Sequence, residues 1–278
     1  MPYSGCFVSR VVCPSFNINI YLMGMADKKI SVTLLISTYN WLDALKKVLD
    51  GVERQTVMPD EIIIADDGSK EETTTFLQQY AKTSRVPIYH VWHEDKGFRK
   101  SRILNKAVAV GKCDYIIEID GDVIPERHFV EDHLNVARRG CFVCGGRVML
   151  KEDGRISPSH YFNCIRSKIL RAIVMRMCDS FNVKYIKGCN MAFWRDDFIA
   201  VNGYDEAMEG WGSEDHEFAA RLNFSGVRYR RLKFGGILYH IRHKIASREN
   251  AEKNREIFRR VLLEHRTWAE DGVNKYLV

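Results

Sequence analysis

No tract of pure Lys/Arg occurs in the 278 residues, and forty-two basic against thirty-six acidic side chains leave a net charge of only +6. So mild an excess suits anionic small molecules or lipid head groups and does not call for nucleic acid. No Gly-x-Gly-x-x-Gly loop occurs either, which excludes a dinucleotide oxidoreductase. Long apolar runs are missing too. Cys6 to Met25 is fairly apolar but is broken by Ser9, Arg10, Pro14, Asn17 and Asn19, so it reads neither as a signal peptide nor as a membrane span. Because Met25 precedes Ala-Asp-Lys-Lys and the first clear strand, residues 1–28 are expected to be an extension, with translation starting at Met23 or Met25. Six prolines and nineteen glycines, with 46% hydrophobic and 28% charged residues, exclude collagen, disorder and low-complexity arrays. Eight cysteines in a chain this long do not make a disulfide framework. Cys141 and Cys144 form a CxxC without a second pair, and Cys141-Phe-Val-Cys144 reads as a core strand, not a zinc site. Cys189 has no sequence-identifiable activating partner and is not read as a nucleophile.

What is present from Ile30 onward is a regular alternation. Apolar, β-branched runs at Ile30–Ser37, Glu61–Ala65, Val86–Trp92 and Asp114–Ile119 predict strands, and Leu42–Arg54, Glu71–Lys82 and Arg99–Val110 have helical spacing. Strands buried on both faces and joined by helices imply an α/β fold with a mostly parallel central sheet flanked by helices. The second half is less regular: Phe142–Leu150, Lys187–Trp194 and Arg228–Tyr239 read as extended, Tyr161–Met177 and Asp215–Phe224 as helical. Ser247–Trp268 predicts a charged amphipathic helix. With no linker or repeat, residues 29–245 are expected to form one domain, 29–125 opening a site and 126–245 completing it, with 246–278 as a C-terminal helix.

In such sheets ligands bind beyond the carboxyl ends of the strands. Those ends are Ser37-Thr38-Tyr39-Asn40, Asp66-Asp67-Gly68-Ser69, His93-Glu94-Asp95 and Asp120-Gly121-Asp122. Three acidic strand ends on one edge would repel one another unless a metal ion or hydrogen-bonding ligand sat among them. Asp120 and Asp122, two apart in extended chain, can reach one cation or its waters, with Gly121 leaving room for a ligand. Ser69 followed by Glu72 reads as a capping box. Ahead of the third helix, Arg99, Arg102 and the helix amino terminus can face a diphosphate. Trp211 beside Glu214 and Asp215 has the chemistry of sugar recognition, because a pyranose stacks its apolar face on indole while its hydroxyls need acceptors.

Four motifs, Ile36-Ser-Thr-Tyr-Asn40, Ala65-Asp-Asp-Gly-Ser69, Ile119-Asp-Gly-Asp122 and Gly210-Trp-Gly-Ser-Glu-Asp215, together resemble the inverting family 2 glycosyltransferases with the GT-A fold. The second half is similar to family 7 galactosyltransferases, as in chondroitin-polymerase-like bacterial enzymes, and the resemblance covers roughly Ile30 to Lys244. It implies a Rossmann-like nucleotide-diphospho-sugar transferase fold and a metal-dependent inverting transfer of a hexosyl or N-acetylhexosaminyl group. The donor would be a nucleotide sugar, UDP-sugar by family habit, and the acceptor a saccharide or lipid-linked hydroxyl in bacterial polysaccharide or lipopolysaccharide synthesis. Asp67 would accept from uracil while Ser37 and Asn40 touch the nucleoside. Asp122 would ligate Mn²⁺ or Mg²⁺ directly, with Asp120 through water or near the ribose, and His240, ahead of His243, would be the third ligand. Asp215 would be the general base, Glu214 would hold the acceptor, and Trp211, Gly212 and Asn190 would line the acceptor site.

A nucleotidyltransferase is the competing enzyme reading, but it needs a glycine-rich phosphate loop after the first strand, and Ser37-Thr-Tyr-Asn40 is not one. A non-catalytic carbohydrate-binding protein would keep Trp211 but has no need of Asp120, Asp122 and Asp215 together. Tyr161–Met177 carries Arg166, Lys168, Arg171 and Arg176 among apolar residues, a pattern that suits peripheral docking on an anionic membrane. A cytoplasmic, membrane-proximal enzyme is the resulting expectation.

Overall fold

The computed structural model describes residues 29–177, 182, 185–243 and 247–277; the expected N-terminal extension lies outside the described residues. Strand β1 (Val32–Thr38) shows why the first half folds as it does. Its apolar residues alternate, Leu34 and Ile36 toward one core and Leu35 toward another, and all three are fully buried. Burying each such side chain contributes about 1.5–3 kcal/mol. Helices α1 (Leu42–Glu53) and α2 (Glu71–Tyr80) cover the first face, and α3 (Lys100–Val110) covers the second.

Between these helices run β2 (Glu61–Asp66), β3 (Ile88–Trp92) and β4 (Tyr115–Asp120), all parallel to β1. The second half supplies β5 (Val123–Pro125), α4 (Phe129–Leu134), β6 (Cys141–Cys144), β7 (Val148–Met149), a 3-10 turn at Pro158–Cys164 and α5 (Lys168–Met177). It continues with β8 (Asn190–Trp194), α6 (Arg195–Ala200), α7 (Glu214–Phe224), β9 (Arg228–Arg231), β10 (Leu238–His240), α8 (Ala251–Glu264) and a 3-10 turn at Val273–Tyr276. Among the described residues the main sheet has the order β3-β2-β1-β4-β8-β6-β9, with β8 antiparallel to both neighbours. A smaller sheet, β5-β10-β7, sits beside it.

Three expected elements are shorter than the patterns predict. The run Phe142–Leu150 breaks into β6 and β7 after Cys144, where the Asn190 side chain packs against Gly145 in the space a Cβ would need. Arg228–Tyr239 splits into β9 and β10, with Gly235 and Gly236 in the connection. The Tyr161–Met177 helix is interrupted where the Ser167 N–H bonds the Phe234 carbonyl. The capping box also fails: Lys70 is the N-cap of α2 without a side-chain cap, and the Ser69 hydroxyl instead accepts the Asn40 N–H.

Helix α5 is turned relative to the expected amphipathic pattern. Arg171 is 4% exposed and, with Arg166, converges on the fully buried Asp132 carboxylate. Ile169 is 74% and Ile173 51% exposed, so on α5 Arg171 faces inward and these isoleucines outward. A buried carboxylate is tolerable only when paired, and Asp132 fixes the roll of this helix through two guanidinium groups and the Gly236 N–H.

Candidate active site

Strand ends β1, β2 and β4 meet at one edge, and Gly121 permits the approach. Its N–H donates to the Ser37 carbonyl at 2.6 Å, and a Cβ there would lie 2.7 Å from that oxygen. The glycine thus makes room for backbone, not for a ligand as the sequence pattern implied. Beyond this edge opens a cleft of about 560 Å³ lined by Ser37, Asp67, Lys100, Asp120, Asp122, Arg147, Trp211, Glu214, His240 and His243. A second cavity of about 370 Å³ shares Lys100, Asp120, Arg147, Trp211 and Glu214 with it and adds Gly212 and Asp215.

The acidic strand ends do not repel one another, because most already have protein partners. Asp66 accepts the Ser69 N–H and lies 2.9 Å from His90 Nε2. Asp67 accepts the Arg99 backbone N–H, and its other oxygen is 2.6 Å from His93 Nε2. Asp120 accepts from Lys100 Nζ at 2.5 Å and from the Ser37 hydroxyl at 3.0 Å. Burial alone would raise the Asp120 carboxyl, but the lysine overrides it and holds the acid below its ordinary range. The same pair drives Lys100 above its ordinary value despite the opposing cost of burial.

Asp122 is different. Pairing of β10 with β5 sets His240 opposite Val123, and the Ile241 N–H bonds the Asp122 carbonyl, so the strand register itself brings imidazole to carboxylate. Asp122 Oδ2 lies 3.1 Å from His243 Nε2 and 3.5 Å from His240 Nε2. One ligating atom from each of the three residues falls within 4.8 Å of the others. Burial, followed by the Asp120 charge, pushes the Asp122 carboxyl up to about 6, while burial pushes His240 down to about 4, leaving a neutral imidazole. Asp122 Oδ1 and His240 Nδ1 are buried without hydrogen-bond partners. Two orphaned atoms beside three converging N/O donors fit a divalent cation. Asp120, expected near the ribose or at the ion through water, is paired with Lys100, and both histidines lie in the cluster.

Across the cleft, Trp211-Gly212-Ser213 opens α7. Gly212 (φ +115°) and Ser213 (φ +69°) both have left-handed backbone, a strained choice for serine that turns the first two helical residues into the cleft. Glu214 accepts the Gly212 N–H; burial, then the neighbouring Asp215 charge, raises its carboxyl to about 7. Asp215 is oriented by two backbone donors, Gly188 N–H at 3.0 Å and His216 N–H at 2.8 Å. Trp211 is 41% exposed and the Arg248 guanidinium lies over its ring at 4.8 Å, so the segment before α8 helps wall the cleft. Behind the site Glu118 is fully buried, accepts from Tyr204 Oη, and is raised to about 8 by burial.

Four expected contacts are not in the cleft. Arg102 pairs with Glu206, which also takes Asn105, Lys275 and Tyr276. The phase of α3 decides this: positions 102 and 105 face Glu206, whereas Lys100 and Ile103 face the cleft. Arg99 lies at the helix start, but its side chain turns to the Glu94 carbonyl. Asn190, expected at the acceptor site, is fully buried between His133 and the Gly146 and Gly236 carbonyls, and there it ties the two sheets together. Asn40 is likewise a loop fastener, its side-chain oxygen accepting the Lys70 N–H. Lys100, in the basic segment that opens α3, and Arg147 line the cleft instead.

Residues 33–201 match the model of glycosyl transferase family 2. The chain belongs to glycosyltransferase family 2. Residues 174–244 also match a model described as an N-terminal domain of galactosyltransferase. Among family relatives, the chain is 27% identical over 244 residues to a chondroitin synthase of Pasteurella multocida, covering 77% of this chain and 25% of that one. It is 23% identical over 239 residues to a chondroitin synthase of Escherichia coli, covering 75% and 34%. A validoxylamine A glucosyltransferase of Streptomyces hygroscopicus is 25% identical over 227 residues, covering 70% and 48%. The chain therefore spans between a quarter and a half of the length of these curated relatives. The crystal structure of S. aureus TarS 1-349 in complex with UDP superposes with a TM-score of 0.63 at 14% identity, covering 89% of this chain and 68% of that one. That likeness shows the fold: this family 2 chain has the GT-A architecture, with a mostly parallel central sheet between helices.

Proposed function

We propose that this glycosyltransferase moves a hexosyl or N-acetylhexosaminyl group from a nucleotide-diphosphate sugar, UDP-sugar first, to a saccharide hydroxyl in bacterial surface-polysaccharide synthesis. The observation that carries the reading is a cation-ready cluster, Asp122, His240 and His243, in one cavity and the Glu214–Asp215 pair in a second that shares Lys100, Asp120, Arg147, Trp211 and Glu214 with it. Ser37, Asp67 and Tyr39 line the end where a nucleoside would lie, although both Asp67 oxygens already have protein partners, so uracil would share one of them. Mn²⁺ or Mg²⁺ held by Asp122 and the two histidines would neutralise charge developing on the departing diphosphate. Lys100 and Arg147 add positive charge to the same wall.

Trp211 offers its ring face to the sugar, and Glu214 hydrogen-bonds an acceptor hydroxyl. Asp215, aimed by the Gly188 and His216 amides, takes the proton from the attacking hydroxyl. Attack in line with the leaving diphosphate inverts the anomeric centre and turns an α-linked donor into a β-linked product. In this reading residues 29–125 hold the donor and 126–245 the acceptor. No helix among the described residues is long and apolar enough to cross a membrane, and the outward isoleucines of α5 support peripheral contact with a cytoplasmic membrane face.

Titration calorimetry of UDP, GDP and dTDP, with and without Mn²⁺, on the wild type and on Asp122→Ala tests the donor site. The expected result is metal-dependent binding of UDP that the substitution removes. Failure of every nucleotide to bind would move the carbohydrate-binding alternative to the front.

A further inference from the structure

A third cavity, about 150 Å³, opens beside the acceptor cavity at the carboxyl ends of β6 and β9. Lys187 and Arg147 line both, and Arg147 lines the donor cleft as well, so the three spaces run in series past one guanidinium. The third space has a distinct chemistry. Arg231 and Lys233 project from the end of β9 and Lys187 from the loop before β8. Among the described residues no carboxylate lies within ion-pair distance of any of these three. Arg166 and Arg171, by contrast, are matched by Asp132, and Arg221 by Glu217.

Aromatic rings frame the same cavity. The Arg231 guanidinium carbon lies over the Tyr185 ring, 3.4 Å from its centroid, and Phe162, 61% exposed, meets Phe234 edge to face at 5.5 Å. Guanidinium stacked on an aromatic ring keeps its in-plane N–H fork available, the geometry that grips carboxylate or phosphate with two parallel hydrogen bonds. Exposed rings beside it suit the apolar faces of sugar units. We propose that this cavity is an acceptor subsite for an anionic substituent, a carboxylate or a phosphate on the acceptor saccharide, gripped by Arg231, Lys233 and Lys187. The acceptor of this transferase is thus an acidic glycan whose charged unit sits one cavity beyond the hydroxyl that reacts. This deepens the transferase reading above and rests on it.

The test uses the full chain with UDP and Mn²⁺ present, and three probes: an oligosaccharide with alternating uronic acid, the same oligosaccharide with its carboxyls reduced to alcohols, and a phosphate-bearing oligosaccharide. Binding is measured by calorimetry on the wild type, Arg231→Gln, Lys233→Gln and the double variant, with UDP affinity measured in parallel on each. The acidic or the phosphorylated probe should bind about tenfold more tightly than the neutral one, the scale of one charge-assisted bidentate contact. That ratio should fall toward one in the variants while UDP affinity stays unchanged. Which anionic probe wins identifies carboxylate or phosphate. Equal binding of all three probes, binding of none, or a ratio that survives both substitutions overturns the subsite. Loss of UDP binding by the wild type would instead overturn the donor reading, so the two failures are distinguishable.

Discussion

Replacing Glu118 by Gln should stabilise the protein at alkaline pH and leave it almost unchanged at acid pH. Glu118 is fully buried behind Lys100 and Tyr204, and burial raises its carboxyl from 4.5 to about 8. In the unfolded chain the acid ionises above its ordinary value, whereas in the fold it keeps its proton until about pH 8. Below the unfolded value both states are protonated and the group contributes nothing. As pH rises from there toward 8, the unfolded state alone ionises, and stability falls by about 1.4 kcal/mol per pH unit. Between pH 5 and pH 8 the wild type should therefore lose about 4 kcal/mol from this residue, or about 10 °C in Tm for a chain of this size. Gln has a similar shape, can accept the Tyr204 hydroxyl and does not titrate, so its advantage should appear only as pH rises. Urea unfolding of both proteins at pH 5, 6.5 and 8 reads the difference directly. A stability difference independent of pH would show that Glu118 titrates normally and that the reasoning about its burial is wrong.

Other outcomes follow from the same geometry. Asp215→Asn should lower kcat by about a thousandfold, the scale of general-base loss, with UDP affinity intact by calorimetry. With Glu214 raised to about 7, kcat/KM should climb as pH rises through 7, because its hydrogen-bonding to the acceptor hydroxyl as a carboxylate is lost below that point; a Glu214→Gln variant should flatten this limb of the profile. Lys100→Met should weaken UDP binding, whereas Arg102→Ala should leave it unchanged and lower Tm instead, since Arg102 serves Glu206 rather than the cleft. Co-sedimentation with anionic liposomes at low salt should be lost in an Ile169→Asp, Ile173→Asp double variant; no sedimentation of the wild type would sink the membrane contact.

Much of the first half was legible because its cause is local. Alternating β-branched runs and helical spacing define β1 to β4 and α1 to α3 to within a few residues, and the topology then sends Asp67, Asp120 and Asp122 to one edge. What could not be read depends on phase and on partners far along the chain. Arg102 and Lys100 are two residues apart, and only the roll of α3 against Glu206, more than a hundred residues away, decides which one meets the cleft. Asn190 looked like a contact for ligand because its polarity was visible and its three buried partners were not. Nor does composition reveal that Arg171 of α5 turns inward, since that orientation is imposed by Asp132 on another element.

Glu206 joins parts of the molecule that sequence keeps apart. One carboxylate fastens Arg102 and Asn105 of α3 to Lys275 and Tyr276 of the last 3-10 turn, and the first residue of that same α3 carries the lysine that neutralises Asp120. The arrangement works as a splint: the closing turn of the described chain braces the helix that aims Lys100 into the cleft. Trimming or fusing at residues 273–277 is therefore a perturbation of that cleft at a distance, and a handle for loosening its grip without touching a residue that lines it.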